Sequence, residues 1–196
     1  MATAEPITAS LTRARLQADR CRLQAHLAQN AHATSLSLWL TPSYQAVYLH
    51  RWSHYHYLRG HRLLARALWH LNLLLTGADI SPLTDIEGGL LIVHPLANIM
   101  LGRAGRNLTV MGHAGFGAAS SEVDIGAGPG LPIIGNDVVI EFGACIQGPV
   151  RVSDGVRVGV RAIVTSNMSA GSCAESSPSR IVPRKLAAAI MLEESS

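Results

Sequence analysis

Residues 132–164 read PIIGNDVVIEFGACIQGPVRVSDGVRVGVRAIV, and Ile134, Ile140, Ile146, Val152, Val158 and Val164 fall at every sixth position. Four residues after each of the first five comes another small or branched residue: Val138, Ala144, Val150, Val156 and Ala162. A helix repeats its apolar face about every 3.6 residues and a strand every 2, so a beat of six fits neither. It fits a solenoid in which each hexapeptide supplies one flat face. Three such faces close a triangular coil of about 18 residues, and each branched side chain then stacks on its equivalent one coil away.

The same beat opens at Ile80, Ile86 and Ile92, slips by a few residues, and resumes at Val110 and Phe116. Residues 79 to about 168 therefore supply roughly five coils. The rhythm breaks at GAASSEVDIGAGPGL, which predicts a loop ejected at 117–132, a place where solenoids carry binding residues. Its polar content is Ser120, Ser121, Glu122 and Asp124.

The first 78 residues read as helical. Ser10 is a candidate cap for a helix with the stripe Leu11, Ala14, Ala18, Cys21 and Ala25, stopping at Asn30. Thr41-Pro42 starts a second, in which Tyr44, Tyr48, Trp52 and Tyr55 recur until Gly60. A third spans His61 to Leu75 and ends at Thr76-Gly77. This region, 1–78, is expected to cap one end of the solenoid, and 183–196 is expected to form a helical tail.

Charge divides the chain. Residues 20–78 hold no Asp or Glu but six arginines and seven histidines, and the net charge is +6 for residues 1–78 against −3 for the rest. Either the basic part faces an acidic molecule, or the two parts dock on one another. His50 and His54 stand four apart with His61 nearby, but no acid or cysteine of that segment completes a metal shell, so no metal is expected. The Arg-aromatic run YLHRWSHYHYLRGHR matches no nucleic-acid module, and no stretch spans a bilayer, so neither nucleic acid nor membrane is an expected partner. Cys21, Cys145 and Cys173 are odd in number and far apart, and the N-terminus lacks a signal peptide pattern; a cytoplasmic protein is expected.

GADISPLTDIEGGLLIVHP, residues 77–95, resembles the entry into the left-handed β-helix of the serine acetyltransferases, within the hexapeptide-repeat acyltransferases. The preceding helical run from Pro42, the last coils GPVRVSDGVRVGVRAIV and the closing SPSRIV resemble the same family in the same order, covering about 42–182. The resemblance implies an α+β architecture: a short helical region, then a left-handed parallel β-helix over 79–182. Handedness comes from the resemblance alone, since right-handed crossovers are the rule.

It also implies chemistry. Asp79 and His94, fifteen residues apart, match the family's catalytic pair: His94 as general base on an acceptor hydroxyl attacking acetyl-CoA, Asp79 fixing the imidazole. Fifteen is three short of a coil, which places the two near one edge of adjacent coils. For the co-substrate, Gly117-Ala118 matches a turn near the thioester and Arg157 a basic residue near the CoA phosphate. Phe142 and Val160 stand where the family keeps small residues along the pantetheine groove, and His113 is either a second acid/base group or a surface side chain.

Other departures concern the acceptor. Val93 replaces an Asp before the histidine, Gly130-Leu131 replaces an Arg-His pair before Pro132, and the helical segment offers no acid. The resemblance thus implies an O-acetyltransferase with an altered acceptor site, in which Glu122 or Asp124 supplies a substitute carboxylate. A catalytically degenerate binding or regulatory homologue, or a transferase drawing on an acidic carrier protein, are the alternatives. The family assembles as trimers or hexamers; the C-terminal Ser196 stands where the family docks an Ile into cysteine synthase, so that partner is not expected.

Overall fold

A computed structural model describes residues 7–29 and 35–177. The expected tail helix at 183–196 and most of the closing SPSRIV motif lie outside the described residues. Four helices come first: α1 (Ala9–Gln29), α2 (Ser35–Leu40), α3 (Pro42–Leu58) and α4 (Arg62–Thr76). The N-terminal cap of α1 is Thr8 rather than Ser10, because Thr8 Oγ1 accepts the Leu11 amide at 3.1 Å. α4 ends where Gly77 turns left-handed, φ 74°. α2, too short to show a period in sequence, brings Leu38 into a small cluster with Leu23, Tyr44 and Leu91.

Short strands then repeat in threes. The first coil holds β1 (Asp79–Ile80), β2 (Asp85–Ile86) and β3 (Leu91–Ile92); the second β4 (Ile99–Met100), β5 (Arg103–Ala104) and β6 (Thr109–Val110). The third holds β7 (Gly115–Gly117), β8 (Ile133–Ile134) and β9 (Val139–Ile140), the fourth β10 (Cys145–Gln147), β11 (Arg151–Val152) and β12 (Arg157–Val158), and β13 (Ile163–Val164) and β14 (Cys173–Ala174) follow. Every pairing is parallel, and the strands form three sheets, β1-β4-β7-β10-β13, β2-β5-β8-β11 and β3-β6-β9-β12-β14. These are the three faces of a prism, referred to below as the first, second and third sheet.

Register explains the slip in rhythm. Cys145 pairs with Ile163 and Asp85 with Arg103, 18 residues apart, whereas Asp79 pairs with Ile99, 20 apart, and Ile99 with Gly115, 16 apart. The corner after β3 has gained two residues and the next has lost two. Gly115 pairs with Cys145 across 30 positions, so the loop after β7 adds 12 residues to one coil.

Inside the prism the hexapeptide residues stack as one core, with Ile80, Ile86, Ile92, Met100, Val110, Ile140, Ile146 and Val158 essentially inaccessible to water. Leu16, Ala46 and Val47 from the helices join that core and close the first coil. The two regions are also tied by charge. The Arg51 guanidinium, 2% exposed, donates to Asp19 at 2.9 and 3.0 Å and to the carbonyls of Ile86 and Glu87; Arg15 reaches Asp85 at 2.8 Å, and Arg22 reaches Gly89 O and Thr109 Oγ1. Docking of the two parts therefore accounts for these three arginines.

Candidate functional site

His94 sits on the lengthened corner between the third and first sheets. Successive coils stack there through main-chain bonds: Ala97 N to Gly77 O, His113 N to Leu96 O, Gly143 N to Gly112 O and Arg161 N to Phe142 O, at 2.9–3.1 Å. Leu96, Gly112, Phe142 and Val160 are thus equivalent positions along one edge. Gly112 is the position that leaves room: a Cβ there would stand 3.2 Å from His94 Cβ and 3.0 Å from the Phe142 ring. His113 holds a left-handed φ of 57° and its ring packs 5.2 Å from that of Phe142. The edge so joins His94, His113 and Phe142, all reachable from solvent.

Asp79 opens β1 of the first sheet, and its amide bonds Asn98 O on the same corner at 2.8 Å. Trp69 Nε1 donates to Asp79 Oδ1 at 2.8 Å, and no hydrogen bond or ion pair among the described residues joins Asp79 to His94. The coil arithmetic is corrected accordingly: this coil has 20 residues, so fifteen is five short of it. His94 Cβ lies against Gly112 of the following coil.

Beside the same edge, on the outer side of the first sheet, a cleft of about 220 Å³ is lined by Ile99, His113, Gly115, Gly117, Ala118 and Cys145, among others. Gly115 is required there by close approach, since a Cβ would lie 1.9 Å from Ile99 O. Burial pushes the Cys145 thiol above its ordinary pKa, so it rests as the neutral thiol. Sequence reasoning passed over Cys145; the signal was its place immediately before the inward Ile146, which makes it an outward residue of the first sheet.

The remaining candidates fall in other places. Arg157 donates to Glu141 Oε1, whose second oxygen accepts the Val160 amide at 3.1 Å, beside a recess of about 460 Å³ that also includes Cys173 and Glu175. That guanidinium already has a carboxylate partner. The loop carrying Glu122 and Asp124 folds back over the second sheet, where Arg151 donates to Ile125 O at 2.5 Å and Arg103 to Gly126 O at 3.3 Å. Asp124 Oδ1 accepts the amides of Gly126 and Gly128 at 2.7 and 3.0 Å, and these bonds hold its pKa below the ordinary value. Asp124 therefore serves the loop's own turn, and among the described residues no hydrogen bond joins it to His94.

His50 and His54, set four apart on α3, are buried with ring centres 6.0 Å apart. Burial first, then the charge of Arg51, keeps His50 well below the ordinary histidine value. Among the described residues no three His, Cys, Asp or Glu side chains gather as a metal shell, and no helix is long and apolar enough to cross a membrane.

No family model matches the chain. The serine acetyltransferase of Helicobacter pylori is 30% identical over 150 residues, which cover 75% of this chain and 85% of that protein. The chain belongs to the serine acetyltransferase family. The serine acetyltransferase of Mycobacterium tuberculosis is 28% identical over 144 residues, 72% of this chain but 61% of the longer relative. Among solved structures, soybean serine acetyltransferase complexed with serine superposes with a TM-score of 0.73 at 25% identity, over 88% of this chain and 70% of that one. Val93 sits on the corner of His94, and Gly130-Leu131 at the end of the ejected loop.

Proposed function

We propose that the protein transfers an acetyl group from acetyl-CoA to the hydroxyl of a small acceptor, on a prism whose coils run left-handed. The observation that carries this reading is the lengthened corner of a serine acetyltransferase-family chain, where His94 stands over Gly112 beside an open edge. His94 takes the acceptor hydroxyl proton as the oxygen bonds to the thioester carbonyl carbon. The C–S bond then breaks, and the imidazolium returns the proton to the departing thiolate, so atoms and charge balance. Asp79 acts from the first sheet, once its bond to Trp69 is exchanged for one to the imidazole. Gly117 and Ala118 border the cleft that receives the thioester end, with Phe142 and Val160 along the edge and Arg157 toward the phosphates. Glu122 of the ejected loop is the remaining acidic candidate for the acceptor.

Apolar side chains left open on one protomer support assembly as a homotrimer or hexamer. Leu63, Leu74 and Leu75 on α4, and Ile99 and Ile163 on the first sheet, are all more than half exposed. Three free thiols suit a reducing cytoplasm. Arg15, Arg22 and Arg51 are engaged by the solenoid, which weakens the carrier-protein reading.

A second reading, a binding homologue without turnover, draws on two observations: Asp79 is held by Trp69, and Phe142 narrows the edge beside His94. One experiment separates the two. Thiol release from acetyl-CoA is followed with serine and a panel of hydroxylated acceptors, for the parent chain and for His94→Ala. Acceptor-dependent release lost in the variant supports the transferase; no release with any acceptor, alongside unimpaired folding, supports the binding homologue.

A further inference from the structure

We propose that a second cleft, between α4 and the turn that follows β1, binds a compact organic anion: a carboxylate or phosphate carried on an apolar body. The cleft has a volume of about 250 Å³ and is lined by Tyr57, Arg62, Arg66, Trp69, Ser81 and Leu83, among others. It shares no lining residue with the cleft beside His94.

The charge is the first reason. Arg62 and Arg66 stand one turn apart on α4, a spacing at which like charges repel unless something neutralises them. Neither guanidinium has a hydrogen bond or ion pair among the described residues, unlike Arg15, Arg22 and Arg51. The nearby carboxylates are already held: Asp79 by the Trp69 indole, Asp85 by Arg15 with Arg103 and His54 within 4.0 Å. No acid lies anywhere in residues 20–78 to reach the pair from its own region. Two forked donors facing one recess match the planar carboxylate or the phosphate group.

The wall is the second reason. Trp69 is held by its bond to Asp79, so its ring forms a fixed part of the lining, to which the exposed Leu83 adds a second apolar side chain. The hydroxyls of Tyr57 and Ser81 add polar points on the lining. A site so made prefers an anion with an apolar body to a bare ion. Because Trp69 borders the cleft and also holds Asp79, the occupant touches the residue that governs Asp79.

The test is titration calorimetry on the full chain at low ionic strength, with phenyl phosphate, benzoate and inorganic phosphate as separate probes. No acetyl-CoA is needed, so the result stands apart from the transferase reading. We expect saturable binding of phenyl phosphate or benzoate, weaker binding of inorganic phosphate, and at least about a tenfold loss in the Arg62→Gln/Arg66→Gln double variant. The relative affinities of phenyl phosphate and benzoate tell which anionic group the pair prefers. Should the double variant fail to fold, Leu83→Ser must weaken phenyl phosphate and leave inorganic phosphate unchanged. No saturable binding up to about 10 mM, or equal affinity in the variants, overturns the proposal. Inorganic phosphate binding as tightly as phenyl phosphate overturns the apolar part of it.

Discussion

Replacing Asp19 with Ala is expected to undock the helical region from the solenoid. Asp19 Oδ1 and Oδ2 receive two bonds from Arg51, at 2.9 and 3.0 Å, and Oδ1 also receives the amides of Gly89 and Leu90, at 2.8 and 2.7 Å. Both side chains are 2% exposed or less. Truncation leaves a buried guanidinium without its counter-charge, which costs about 3–5 kcal/mol. The two amides that lose their acceptor sit at the turn before β3, so water must enter there or about 1–3 kcal/mol more is lost. Arg51 keeps its bonds to the carbonyls of Ile86 and Glu87, which argues for the lower end of the range. Since a domain of ordinary stability has about 5–15 kcal/mol in hand, a loss near 4 kcal/mol is a large fraction of it. Urea denaturation followed by tryptophan fluorescence measures the effect, because Trp52 lies on α3 beside Arg51 and reports undocking. Asp19→Asn, which keeps one acceptor oxygen, should lose roughly half as much. A cost below about 1 kcal/mol for Asp19→Ala would refute the reasoning, since it would mean that the pair is solvated or that Arg51 finds another anion.

Three further outcomes are expected. Gly115→Ala should cost about 3 kcal/mol or more in denaturant midpoint assays, because its Cβ would meet the Ile99 carbonyl at 1.9 Å and β4 and β7 would have to separate; a neutral result would show that the strands yield freely. Phe142→Ala, which removes a ring 43% exposed at the edge beside His94, should lower the KM for acetyl-CoA by about threefold or more with a small change in melting temperature, and an unchanged KM would place the thioester path elsewhere. The acid slope of stability belongs in part to His50. Its folded pKa is depressed by burial and by Arg51, His54 and Arg15, so the unfolded chain takes up more protons; stability is full above the ordinary value of 6.5 and falls as the pH drops below it. His50→Leu should flatten melting temperature between about pH 7 and pH 5, and an unchanged slope would assign it to other groups.

How far the sequence could be read depended on whether a residue's role is set by the repeat. Ile134 to Val164 are inward because each stacks on its counterpart one coil away, and six positions at one interval leave little freedom. The same logic carried back to Ile80, Ile86 and Ile92. It slipped at the corner after β3, where two residues were gained, and at the next, where two were lost; because these shifts compensate, the sequence shows that the beat slips but not at which corners. A helix start was legible from Thr41-Pro42 and a helix end from Gly77, whereas the choice of Thr8 over Ser10 turned on one hydroxyl and α2 offered only six residues. Partners of the charged groups were not legible, because Arg51 finds Asp19 across 32 positions and Arg157 finds Glu141 across a coil.

That corner also bears on the reaction centre. With an 18-residue coil, Asp79 and His94 would sit three positions out of register and face each other along an edge. With 20, His94 precedes Ile99, the partner of Asp79, by five residues, and its Cβ lies against the next coil while Trp69 occupies Asp79. If the acid assists the base, the Trp69 bond competes with it, and Trp69→Phe releases the carboxylate while keeping the ring. The expected result is a rise in kcat of about threefold or more. An unchanged kcat would mean that His94 works without Asp79, and that the bond from Trp69 serves only to seat α4 on the first strand.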